Sequence, residues 1–156
     1  HIAEAVYGIA SAYRYWKKYD LAVENFRLYQ EKLSYTPNSN ISYFGAYGLG
    51  MTLAEQGNCQ QALVEIELAF TLEGLDDYDA ELYKRKAGCL IKLNRLTDAE
   101  QALNQAKNLF QQMPQLLNTA WHIEVDKIAG ELAYARQDYQ SAYLLLASYY
   151  QRHRRY

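Results

Sequence analysis

Leu49-Gly50-Met51-Thr52-Leu53-Ala54-Glu55-Gln56-Gly57-Asn58-Cys59-Gln60-Gln61-Ala62-Leu63-Val64-Glu65-Ile66-Glu67-Leu68-Ala69-Phe70 decides the fold. Apolar residues at 49, 53 and 54 share one helical face, and those at 62, 63, 66, 69 and 70 share another. Between them Gln56-Gly57-Asn58 supplies a glycine suited to ending a helix. It also supplies an asparagine suited to capping the next one, with Gln61 three residues on. Two short amphipathic helices joined by so tight a turn must fold back on each other as a hairpin.

Working outward from this hairpin, its pattern recurs. Tyr19-Asp20-Leu21-Ala22, Cys59-Gln60-Gln61-Ala62, Leu96-Thr97-Asp98-Ala99 and Tyr139-Gln140-Ser141-Ala142 each follow a polar turn and end on alanine. Twelve residues before these alanines stand Ala10, Gly50, Ala87 and Gly130; seven after them stand Tyr29, Ala69, Ala106 and Tyr149. Small residues at such places let two helix axes approach closely, and the bulky residue at the turn fills the wedge between them.

These residues resemble the tetratricopeptide repeat, whose pattern carries small residues at its eighth, twentieth and twenty-seventh positions. Four copies cover nearly the whole chain, roughly 3–36, 43–76, 80–113 and 123–156. They depart from the family in two ways. Its early tryptophan is replaced by Val6, Ala46, Tyr83 and Asp126, and the copies start 40, 37 and 43 residues apart rather than the family's 34. The resemblance implies an all-α fold, a right-handed superhelical array of about four hairpins in one domain. Thr97-Asp98-Ala99-Glu100 reads as a capping box, and Pro114 to His122 as a lengthened first helix of the fourth copy. On the first helix, Val6, Ile9, Ala10, Tyr13 and Trp16 are expected on the packed side.

Composition narrows the function. The formal net charge of −2 argues against broad attraction to nucleic acid, and no run of eighteen apolar residues suggests a membrane span. Cys59 and Cys89 fall in helix patterns as small core residues or as a disulfide or redox pair, and they do not decide compartment. The chain begins with His1 and shows no signal-peptide pattern, so it reads as a fragment whose localisation, cytoplasmic or periplasmic, is unknown. No metal-binding, phosphate-loop or nucleophile motif is present. His122 and Asp126 lie one turn apart, but two ligands do not make a zinc site. The expectation is a non-catalytic module without cofactor or metal.

What a repeat array offers is a surface. The family's groove-facing positions, carried over, fall on Glu4, Tyr7, Ser11, Arg14 and Tyr15, then on Phe44, Tyr47, Met51, Ala54 and Glu55. Further along they include Lys84, Lys92, Lys127 and Tyr134. Such a groove implies a protein or peptide partner. Members that grip chaperone tails need a lysine and an asparagine where this chain has Tyr7 and Ser11, which disfavours that ligand. More narrowly, residues 131–146 and the variable repeat lengths resemble the helical sensory regions ahead of bacterial diguanylate cyclase (GGDEF) domains. That resemblance implies a signalling module whose partner is its own output domain, outside the fragment. The alternative is a structural self-assembling array whose groove is filled by its own chain. The last helix adds a patch, Tyr143, Leu144, Ala147 and Tyr150, which points away from its hairpin and calls for a cover: a following helix, or a second copy in a homodimer.

Overall fold

The structure, a computed structural model, describes residues 2–33, 39–72, 74, 76–117 and 119–154, the side chains of Leu33 and Ser39 excepted. Eight helices occur among them: α1 (Ile2–Tyr15), α2 (Tyr19–Leu33), α3 (Ser39–Gln56), α4 (Cys59–Phe70), α5 (Asp76–Lys92), α6 (Leu96–Gln111), α7 (Ala120–Ala135) and α8 (Tyr139–His153). No strand occurs among the described residues, so the fold is all-α. The chain divides into two compact units, residues 1–75 and 76–156, each of four helices packed as two hairpins.

One turn builds all four hairpins. Its central residue has a positive φ each time: Lys17 at 59°, Gly57 at 92°, Asn94 at 58° and Gln137 at 64°. The next residue's N–H reaches back five places, from Lys18 to the Tyr13 carbonyl at 2.8 Å and from Asn58 to Leu53 at 2.9 Å. Arg95 does the same to Leu90 at 2.8 Å, and Asp138 to Ala133 at 2.9 Å. This is the left-handed C-cap that satisfies a helix's last carbonyls. The carbonyl of that same residue then accepts from the alanine four places on, Ala22, Ala62, Ala99 or Ala142, each at 3.0 Å. A single residue therefore ends one helix and opens the next, which locks each alanine to its turn.

Burial follows that register. Ala10, Ala87, Ala22, Ala62, Ala99, Ala69 and Ala106 are wholly buried, and Gly50, Gly130, Ala142, Tyr29 and Tyr149 are buried too. A Cβ on Gly130 would stand 2.7 Å from Leu146 Cγ, so the Leu146 side chain of α8 fills the space that a side chain at 130 on α7 would need.

Several boundaries differ from expectation. Neither Asn58 nor Arg95 caps its helix through its side chain, and the box expected at Thr97 does not form, since α6 already starts at Leu96. Arg95 has no acceptor in its side chain to offer the helix start, and Asn58 makes no such bond at ψ 70°. Asp138, at the same place in its own turn with ψ 76°, does cap, accepting from Ser141 N at 3.2 Å. Pro114–Leu116 forms a separate 3-10 turn closed by extended Leu117, so α7 begins at Ala120 and is not lengthened. Ser39 and Asn40 open α3, while residues 34–38 lie outside the described set. Ile9 and Trp16 are exposed rather than packed.

Candidate functional site

In the first unit, Tyr7, Ser11, Arg14 and Tyr15 recur at helical spacing on α1, next to α3. The Tyr7 ring is the hub of an aromatic cluster, with centroids 5.6 Å from Phe26, 5.6 Å from Tyr29 and 5.9 Å from Phe44. It anchors α1 to α2 and α3 and is only half accessible. About two turns further on, Arg14 crosses to Glu55 of α3. Its Nε lies 3.1 and 3.2 Å from the two carboxylate oxygens and its Nη2 lies 3.0 Å from Oε1. Burial alone would lower the Arg14 pKa, but the Glu55 carboxylate raises it overall, so the guanidinium stays charged where it sits.

Beside this pair opens a cavity of about 450 Å3 lined by Ser11, Arg14, Tyr15, Lys17, Tyr19 and Glu55. A neighbouring cavity of about 330 Å3 shares Lys17 and Tyr19 and continues to Asp20 and Gln56. Tyr15 stands on the rim at 84% exposure. Four of the residues read from sequence, Ser11, Arg14, Tyr15 and Glu55, thus meet at one opening. Lys17 and Tyr19 had no such reading: Lys17 is the left-handed turn residue, and Tyr19 looked like a wedge between helices. Both belong to the turn that the repeat places beside this opening.

Tyr47 and Met51 behave otherwise. Both are buried, as is nearly every residue from 45 to 54, because α3 is apolar on all sides and packs against α1, α2 and α4. They belong to the core rather than to an accessible surface. Phe44 is half-buried, its ring 5.4 Å from that of Tyr43.

The second unit treats its lysines in the same spirit. Lys84 is 1% exposed, with its ammonium 2.6 Å from Glu81, 2.7 Å from Glu124 and 3.2 Å from the Trp121 carbonyl. It is a buried tie between α5 and α7 and offers nothing to a ligand. Burial pushes Glu81 above the usual carboxyl range against the pull of Lys84. Burial acts upward on Glu124 as well, but Lys84, Arg85 and Lys127 together hold it below that range. Lys127 lies over the Tyr149 ring at 5.9 Å, Lys92 is exposed at the end of α5, and exposed Tyr134 meets Tyr139 edge-on at 5.4 Å.

His122 and Asp126 do not pair. Asp126 accepts from Arg152 at 2.7 Å, and His122 stands edge-on to Phe110 at 5.8 Å with its pKa lowered by burial and then by Arg152. Among the described residues no group of three or more His, Cys, Asp or Glu is placed to share a metal ion, and no helix is long and apolar enough to cross a membrane. On α8, Tyr143, Leu144, Ala147 and Tyr150 are all exposed, while Ala142 and Tyr149 face inward. No protein-family model matches the chain, and no curated protein matches it.

Proposed function

We propose that this chain is a non-catalytic protein- or peptide-binding helical repeat module of the tetratricopeptide type, and that its ligand enters the opening beside Arg14 and Glu55. The observation that carries this reading is the cavity itself. A guanidinium and a carboxylate held together at its wall offer both donors and acceptors to a peptide backbone, and two tyrosine rings add broad apolar contact at small entropic cost. The finer reading, a regulatory segment of a bacterial signalling protein whose output domain lies elsewhere in the polypeptide, is supported by the resemblance of residues 131–146.

Selection of a random peptide library on the immobilised chain, followed by calorimetric titration of the enriched peptides, tests the binding role. Arg14→Ala combined with Tyr15→Ala should weaken those peptides by roughly tenfold or more. Helical circular dichroism should be unchanged. Failure to enrich any peptide, or equal binding by the double variant, would contradict the proposal.

A second reading, self-assembly of the array, is favoured by one observation: the exposed aromatic side chains of α8.

A further inference from the structure

Each unit contains one place where the second helix of a hairpin receives the first helix of the next, and the two places share a register. In the first unit α3 lies on α2. A Cβ on Gly45 would stand 2.8 Å from Gln30 Cγ and 3.2 Å from the Tyr29 ring, and one on Gly48 would fall on the Phe26 ring. Small residues on the incoming helix thus admit bulky ones on the receiving helix. Gln56, at the end of the incoming helix, donates to Asp20 at 2.7 Å. In the second unit α7 lies on α6 with the bulk shifted to the incoming helix. Leu103, Ala106 and Lys107 hold the places of Phe26, Tyr29 and Gln30, Val125 and Ile128 hold those of Gly45 and Gly48, and Arg136, the equivalent of Gln56, donates to Glu100 at 2.9 Å.

The same register runs off both ends of the chain. With copies beginning at 3, 43, 80 and 123, the equivalents of Phe26, Tyr29 and Gln30 on α8 are Leu146, Tyr149 and Tyr150, and the equivalent of Glu100 is Tyr143. This receiving face is bulky, like that of α2. Tyr143 and Tyr150 are 73% and 61% exposed, whereas Val23 and Gln30 at the matching places on α2 are half-buried under α3. Leu144 and Ala147 are a different matter: their equivalents, Glu24 and Arg27 on α2 and Gln101 and Asn104 on α6, are exposed in every case. The patch therefore splits into a stacking face, Tyr143 and Tyr150, and an outer side that no hairpin covers.

A bulky receiving face calls for an incoming helix with small residues at the places of Gly45 and Gly48. On α1 those places hold Ala5 and Gly8, both exposed, and nothing lies within 4 Å of a Cβ built on Gly8. The place of Gln56 and Arg136 is held by Trp16, exposed at 62% instead of packed in its own hairpin. We infer that α1 of a second copy of this chain docks on α8 in the register in which α3 docks on α2. Ala5 of the second copy then lies against Tyr149 and Tyr150 and Gly8 against Leu146, as Gly45 and Gly48 lie on α2, while Trp16 of the second copy meets Tyr143 as Arg136 meets Glu100. The interface is continuous with the inter-hairpin packing already built into each unit. It joins two different faces of the chain, so association is head-to-tail and does not stop at a two-fold dimer.

The inference does not depend on the peptide-binding role, and light scattering tests it. The wild-type chain should show a mass that climbs with concentration above the 18.1 kDa of one copy. Gly8→Glu and Tyr143→Glu should each remain at the single-chain mass, the first with a helix at least as stable because glycine is the poorer helix former. An equimolar mixture of the two should give a species of twice that mass, since each keeps the face the other has lost. Leu144→Glu should associate as the wild type does. A wild-type chain that stays monomeric, as it would if a different hairpin covers α8 in a longer polypeptide, overturns the inference. So does association that Tyr143→Glu abolishes and Gly8→Glu leaves intact, the signature of α8 meeting α8, and so does a mixture that stays monomeric.

Discussion

Arg14 and Glu55 meet through three contacts of 3.0 to 3.2 Å, and the pair ties α1 to α3 at the mouth of the cavity. Their side chains retain 25% and 18% of their exposure, so solvent screens the attraction only partly. A double-mutant cycle with Arg14→Met and Glu55→Gln should give a coupling of about 1 kcal/mol at low salt, the upper end for exposed pairs, declining as salt is added. Coupling indistinguishable from zero at low salt would show that the pair does not hold the helices.

The shared turn makes a second expectation. Lys17 and Gln137 occupy the left-handed region at 59° and 64°, where a Cβ is strained and glycine is not. Lys17→Gly and Gln137→Gly should each stabilise the chain by about 0.5–1 kcal/mol, the strain relieved exceeding the entropy glycine adds to the unfolded state. Gly57→Ala should cost about 1 kcal/mol for the opposite reason. Denaturant midpoints measure all three, and a fall on either glycine substitution would mean the turns are held by something other than the C-cap.

Overpacking makes the third. Ala62 and Ala99 are wholly buried where their hairpins cross, so Ala62→Leu or Ala99→Leu should cost roughly 1–3 kcal/mol by forcing the helices apart. Val64→Leu, on exposed α4 surface, is the control and should leave the thermal midpoint where it was.

The buried lysine sets the pH dependence. Glu81 has a folded pKa raised above the ordinary 4.5, mainly by burial, so the native state binds more protons than the unfolded one just above that value. Its contribution to stability therefore falls as pH rises through the window above 4.5. Glu124 has a lowered folded pKa, and its contribution is present above 4.5 and lost as pH falls below it. Comparing each Gln variant with the parent in urea from about pH 3 to about pH 7 should give stability differences that move in opposite directions. Parallel profiles would contradict the two assignments.

The register of the hairpins was legible because it depends on steric bulk: small residues at helix crossings leave a periodic trace, and all those read from sequence are buried. The caps were not legible. Thr97 lies inside α6, whose N-cap place is held by Arg95, and Asn58 holds the N-cap place of α4 without a side-chain bond although Asp138 makes one from nearly the same backbone. Four of the six residues lining the first unit's opening were legible for a related reason. Ser11, Arg14 and Tyr15 lie on a helix with one polar side, so helical spacing places them together at the opening. Tyr47 and Met51 lie on a helix apolar on every side, where spacing alone does not separate groove from core. Lys84 is a case of chemistry hidden by composition, since nothing in the local sequence announces that Glu124, 40 residues away, will bury it.

The claim that matters most is that ligand enters beside Arg14 and Glu55. Amide chemical-shift mapping on the isotopically labelled chain, titrated with a peptide enriched from the library, tests it directly. The account expects the largest shifts at Ser11, Tyr15, Lys17, Tyr19 and Glu55, with Tyr47 and Met51 moving little. Shifts confined to residues 76–156, or spread evenly with no focus on α1 and its turn, would contradict it.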